Sequence, residues 1–103
     1  MSVLMEFAIF PTDKGGSVSE YVSKVIEMVR NSGYTYKLTA MGTIIETDTL
    51  NQSLSIIQQA YDILEPYSQR IYSTVKFDIR KNAHNRIEGK ITSIENKIGK
   101  TNH

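Results

Sequence analysis

The sequence predicts an α+β fold: a four-stranded antiparallel sheet, two helices on one of its faces, and a further helix at the C-terminus. Three observations predict it. Hydrophobic periods of two and of 3.6 alternate along the chain in the order strand, helix, strand, strand, helix, strand. Turn and cap residues punctuate the junctions. A chain of 103 residues suits one domain, 1–103, with one modest core.

Each element has its own signal. Val3, Met5, Phe7 and Ile9 alternate with Leu4, Glu6, Ala8 and Phe10, the period of a strand that Pro11 ends. Asp13-Lys14-Gly15-Gly16 reads as a loop, and Ser17 with Glu20 has capping-box spacing. The helix that follows carries Val18, Tyr21, Val22, Val25, Ile26, Met28 and Val29 at helical spacing, and Gly33 is placed for a left-handed cap. Tyr34 to Ala40 is the second strand. Met41-Gly42 is expected to be a tight turn, and Thr43 to Thr47 a β-branched third strand, so these two should form a hairpin. Thr49 and Gln52 repeat the capping box before an apolar stripe of Leu50, Leu54, Ile57, Tyr61 and Leu64, closed by Pro66. Ile71 to Arg80 is the fourth strand, with Ile71, Ser73, Val75, Phe77 and Ile79 on one side. A polar loop, 81–86, leads to a last helix from about Ile87 to Ile98, with Ile91, Ile94 and Ile98 on one face. That stripe should dock on the same subunit or a neighbour, so removing 87–103 should destabilise the assembly.

This order is the ferredoxin-like βαββαβ pattern, and right-handed crossovers give a sheet order of 4-1-3-2. Both main helices then cover one face and leave the other open.

Composition narrows the function. Leu, Ile, Val and Phe make up 27 of the 103 residues, which argues against disorder. The net charge is +1, low for a nucleic-acid binder of this size. Residues 76–100 carry seven basic and three acidic side chains, expected to be a solvated face; the strands lack the interleaved aromatics of an RNA-reading sheet. Without cysteine there is no disulfide, no thiolate nucleophile and no zinc–cysteine or iron–sulfur site. Two histidines, one of them the last residue, offer no His-rich metal site, and His84 is expected to be a loop residue. Gly15-Gly16 lacks the Lys-Ser/Thr of a phosphate loop. No run of about 18 apolar residues exists, and the N-terminus has no signal-peptide pattern, so the expected location is cytoplasmic.

The open face carries the functional expectation. Its candidate members are Glu6, Ala8, Phe10, Thr39, Met41, Ile44, Glu46, Thr74 and Asp78, on a face of roughly 350 Å². A semi-apolar face of that size marks an interaction surface, and pairing of copies through sheet faces or edges is expected. Glu6, Glu46 and Asp78 stand among apolar or hydroxyl neighbours. Such carboxylates either form ion pairs, for example with Lys76 or Arg80, or recognise a cationic or amino-heterocyclic ligand. No nucleophile or oriented base accompanies them, so an enzyme using Glu46 and His84 is the weaker expectation.

The same residues carry a resemblance. Leu4-Met5-Glu6-Phe7-Ala8-Ile9-Phe10-Pro11, Asp13-Lys14-Gly15 and Ser17-Val18-Ser19 resemble the opening of the thiamine-binding protein family, of the UPF0045 type. So do Leu38-Thr39-Ala40-Met41-Gly42-Thr43-Ile44-Ile45-Glu46 and Arg86-Ile87-Glu88-Gly89-Lys90-Ile91. The likeness spans about residues 3–99. The chain departs from it at Thr47-Asp48-Thr49-Leu50 and in the loop with Asn82, His84 and Asn85.

The resemblance implies a ferredoxin-like fold, dimers that pair into tetramers, and thiamine or its aminopyrimidine moiety as ligand between subunits. It attaches no enzymatic activity, cofactor or metal. Carried over residue by residue, the implied ligand-binding set is Glu46, Glu6, Phe10, Met41, Gly42, Thr43, Asp78 and Arg80. Glu46 ranks first, because a carboxylate at a strand end can hold the exocyclic amine and offset the thiazolium charge. A charge-assisted bond of that kind contributes about 1.5–3 kcal/mol. The alternative is a structural or regulatory oligomer that takes a different small ligand.

Overall fold

The structure, a computed structural model, describes residues 1–102; His103 lies outside the described residues. Its elements are β1 (Ser2–Pro11), α1 (Val18–Asn31), β2 (Thr35–Leu38), β3 (Thr43–Thr47), α2 (Leu50–Leu64), β4 (Ile71–Arg80) and α3 (Arg86–Ile98). The sheet order is β2-β3-β1-β4, the expected 4-1-3-2 read in reverse. Every neighbouring pair is antiparallel. The fold is the ferredoxin-like α+β sandwich with an added C-terminal helix.

The core lies between the sheet and the α1–α2 layer. Met5, Phe7 and Ile9 of β1 and Ile45 of β3 meet Val25 and Val29 of α1 and Ile56, Ala60 and Leu64 of α2. Burial of each large side chain contributes about 1.5–3 kcal/mol. The alternation in β1 falls as its pattern predicts: the odd residues are buried, and Leu4, Glu6, Ala8 and Phe10 lie on the second face. That face is not left open as expected, because α3 packs against β1 and β2 there and covers part of it.

Three local expectations change. Ser17 does not cap α1: a 3-10 turn over Gly15–Ser17 leads into the helix, Ser17 sits at φ −95° and ψ 20°, and its side chain makes no cap hydrogen bond. In that conformation the hydroxyl is not presented to the free amides as an extended cap residue presents it. The second box does form. Thr49 Oγ1 accepts from Gln52 N at 3.2 Å, and Gln52 Oε1 accepts from Thr49 N at 3.1 Å.

The buried stripe of α2 is displaced from the expected one. Ser53, Ile56, Ala60 and Leu64 face the core, while Leu54 and Tyr61 are exposed. Small Ser53 and Ala60 let the helix approach the sheet, and the Ser53 hydroxyl is satisfied by Thr47 Oγ1 at 2.7 Å.

Finally, β2 ends at Leu38 rather than Ala40. Residues 39–42 form the turn, held by Thr39. Its Oγ1 donates to Gly42 O at 2.7 Å and accepts from the amides of Met41 and Gly42.

Candidate functional site

The β2–β3 turn packs beside the C-terminal half of β1 and the N-terminal half of α1, and a cleft of about 210 Å³ forms where the three meet. Its walls are apolar. Phe10 and Ala8 come from β1, Val18, Val22 and Ile26 from α1, and Met41, Gly42 and Thr43 from the turn and the start of β3. Space favours glycine at position 42: a Cβ there would stand 3.0 Å from Phe7 O and 3.6 Å from Glu6 Cγ, a tight contact against the β1 backbone. Thr43 is buried, whereas Met41 is 87% exposed at the rim. Phe10 also rests against Tyr72, with ring centroids 5.8 Å apart.

Val22, Ile26 and Leu38 line a second, shallower groove as well, between α1 and β2. That groove, about 490 Å³, is bordered by Glu27 and Arg30. The apolar cleft therefore opens toward a carboxylate and a guanidinium.

Four of the expected ligand residues, Phe10, Met41, Gly42 and Thr43, line the cleft. Glu6 adjoins it through Gly42 and pairs with Lys76 at 3.4 Å. Glu46, Asp78 and Arg80 are elsewhere. Glu46 and Asp78 both stand opposite Leu4 on β1, six residues from Phe10, or about 20 Å at strand rise. The expected set is thus divided between two places.

At the second place Glu46 caps α3. One carboxylate oxygen accepts from Ser2 Oγ at 2.6 Å and from Arg86 N at 3.1 Å; the other accepts from Ile87 N at 3.3 Å. The Arg86 side chain completes the cluster. It donates to Ser2 Oγ at 3.0 Å and Ser2 O at 2.9 Å, and to Asp78 O, and it pairs with the Asp78 carboxylate at 3.1 Å. Burial works to raise the Glu46 pKa. The hydrogen bonds from Ser2, Arg86 and Ile87, with the Arg86 charge, outweigh it and hold the carboxyl below its ordinary value. Arg80 is exposed and lines a broad depression with His84 and Lys90.

In the sequence the α1 residues of the cleft carry only the pattern of helix core. The available signal was excess: seven apolar positions on α1, of which Val25 and Val29 alone are fully buried. Among the described residues no group of three or more His, Cys, Asp or Glu is placed to hold a metal ion. No helix there is long and apolar enough to cross a membrane.

Residues 5–95 match the model of the family described as thiamine-binding protein. The chain belongs to the thiamine-binding protein family. It is 37% identical over 92 residues to the UPF0045 protein MJ1052 of Methanocaldococcus jannaschii, covering 89% of this chain and 91% of that one. The crystal structure of MJ1052 superposes with a TM-score of 0.79, over 90% of this chain and 95% of the other. The UPF0045 protein Mb1933 of Mycobacterium bovis is 32% identical over 95 residues, covering 92% and 93%. A Thermotoga maritima protein, TM0486, provisionally assigned to thiamine biosynthesis or salvage, shares the fold at a TM-score of 0.79 and 18% identity, covering 91% of this chain and 99% of that one.

Proposed function

We propose that this member of the thiamine-binding protein family is a non-catalytic binding protein that takes thiamine, or its aminopyrimidine moiety, into the cleft between α1 and the β2–β3 turn. The observation that carries the reading is the cleft itself. It is apolar, it is walled on one side by the Met41-Gly42-Thr43 segment, and at about 210 Å³ it lies below the roughly 300–1,000 Å³ of pockets that enclose a whole drug-sized ligand. A single heteroaromatic ring suits it. Aromatic and thioether contact with Phe10 and Met41 supplies dispersion. The thiazolium then lies in the adjoining groove, where Glu27 offers the opposite charge. No nucleophile with an oriented base lines the cleft, which supports binding rather than turnover. The protein acts as a homo-oligomer, a dimer at least and a tetramer if open sheet faces also pair.

Calorimetric titration of the full chain with thiamine, its phosphates and hydroxymethylpyrimidine tests this. Saturable heat with thiamine, weakened about 5- to 30-fold in Met41→Ala, is the expected result. Deletion of an exposed side chain that becomes buried on binding costs about 1–2 kcal/mol. Silence across the panel would favour the structural or regulatory oligomer, and conversion of any panel member would overturn the non-catalytic reading.

A further inference from the structure

We propose that the charged groove beside the cleft recognises a phosphate ester, so that the preferred ligand is thiamine monophosphate and Arg30 is the residue that reads the phosphate. The inference rests on the reading of the cleft as the thiamine site and names the form of the ligand that site prefers.

The groove continues the cleft. Val22, Ile26 and Leu38 line both, while Glu27, Arg30 and Tyr36 line the groove alone. Glu27 follows Ile26 directly, and Arg30 lies one helical turn beyond Ile26, about 6 Å along the α1 axis. From the cleft outward the surface is therefore apolar, then acidic, then basic.

Neither charge is used within the chain. Glu27 and Arg30 stand three residues apart on α1, a spacing at which a carboxylate and a guanidinium on one helix can pair. They do not pair here. The ion pairs among the described residues are Lys76–Glu6 and Arg86–Asp78, and neither the Glu27 nor the Arg30 side chain makes a hydrogen bond there. The helix dipole favours a cation in the last turn of α1, where Arg30 lies. It gives no reason for a carboxylate beside it.

Thiamine monophosphate carries the complementary series. Its aminopyrimidine is a heteroaromatic ring, its thiazolium is cationic, and a two-carbon arm holds the ester phosphate beyond the thiazolium. With the aminopyrimidine in the cleft, the thiazolium reaches Glu27 and Tyr36, a carboxylate and an aromatic ring that both favour a cation. The phosphate then reaches Arg30, whose planar fork donates two parallel hydrogen bonds to phosphate oxygens. Unphosphorylated thiamine satisfies Glu27 and leaves Arg30 unmatched. A second phosphate would project past Arg30 toward the end of α1 at Asn31, where the unpaired carbonyls of a helix end carry negative charge. The diphosphate therefore gains nothing over the monophosphate.

Calorimetric titration of the full chain with thiamine, its monophosphate and its diphosphate tests the assignment. The monophosphate should bind about tenfold more tightly than thiamine, the worth of a charge-assisted hydrogen bond at its lower end, and the diphosphate no more tightly than the monophosphate. In Arg30→Gln that ratio should fall below twofold, with thiamine still giving saturable heat. Arg30→Lys, which keeps a cation at the helix end, should hold an intermediate ratio. Glu27→Gln should weaken thiamine and its monophosphate together and leave their ratio near tenfold. Inorganic phosphate at the same concentration as the ester should not displace it. Binding of thiamine with less than a twofold gain from the phosphate would overturn this inference and leave the thiamine reading standing. A full tenfold ratio in Arg30→Gln, or displacement by inorganic phosphate, would overturn it equally. Absence of saturable heat with all three compounds would overturn both.

Discussion

Glu46 shows how one residue type supports two readings. A carboxylate on a sheet strand among apolar neighbours is the signature of ligand recognition and of helix capping alike. What favours the capping reading is the long-range contact with Arg86 and Ile87, forty and forty-one residues away. Glu46→Gln keeps the shape and loses the charge, so α3 should dock less firmly, at a cost of about 1 kcal/mol. Thiamine affinity should stay within twofold. Thermal melting and calorimetry on one sample check both.

The pH dependence follows from the depressed carboxyl. A group whose folded pKa lies below its unfolded value adds stability above the unfolded value and loses it as pH falls through the folded one. The Glu46 contribution is therefore full near neutrality. It should fade below the ordinary glutamate pKa of 4.5, with the Arg86 and Ile87 amides losing exchange protection first. Gly42→Ala tests the turn. Its Cβ would press on Phe7 O at 3.0 Å, so both stability and thiamine affinity should fall, read by melting and titration.

At the scale of elements, the two capping boxes separate sequence from structure. Ser17-Glu20 and Thr49-Gln52 have the same spacing, but only Thr49 takes the extended conformation, φ −130° and ψ 154°, that aims its hydroxyl at the helix amides. Thr49→Ala should cost about 1 kcal/mol and lower the melting temperature by roughly 4–8 °C. Ser17→Ala should do neither. The strands were legible because period two survives any detail of packing: β1, β3 and β4 fall where alternation puts them. The buried stripe of α2 was not. Hydrophobicity ranks Leu54 and Tyr61 above Ser53 and Ala60, while close helix–sheet packing selects the small residues. The α3 stripe was half legible. It is helical and amphipathic, but none of its residues is fully buried and Ile98 is 74% exposed.

At the scale of the whole molecule, the topology was readable because helix and strand order leaves few right-handed arrangements. The cleft was less so. Its turn segment stood out as Met41-Gly42-Thr43, whereas its α1 wall looked like ordinary core. Under the proposed function, binding is the task of the apolar cleft beside the β2–β3 turn. Met41→Ala should accordingly leave the assembly mass unchanged.

The central claim is that the ligand enters this cleft and not the Glu46–Arg86 cluster about 20 Å away. Amide chemical-shift mapping during thiamine titration tests it most directly. The account predicts saturable shifts concentrated at 8–10, 22–27 and 39–43, with Ser2, Glu46, Asp78 and Arg86 unmoved. Shifts centred on Glu46, Asp78, Arg80 and Arg86, with 39–43 silent, would contradict it.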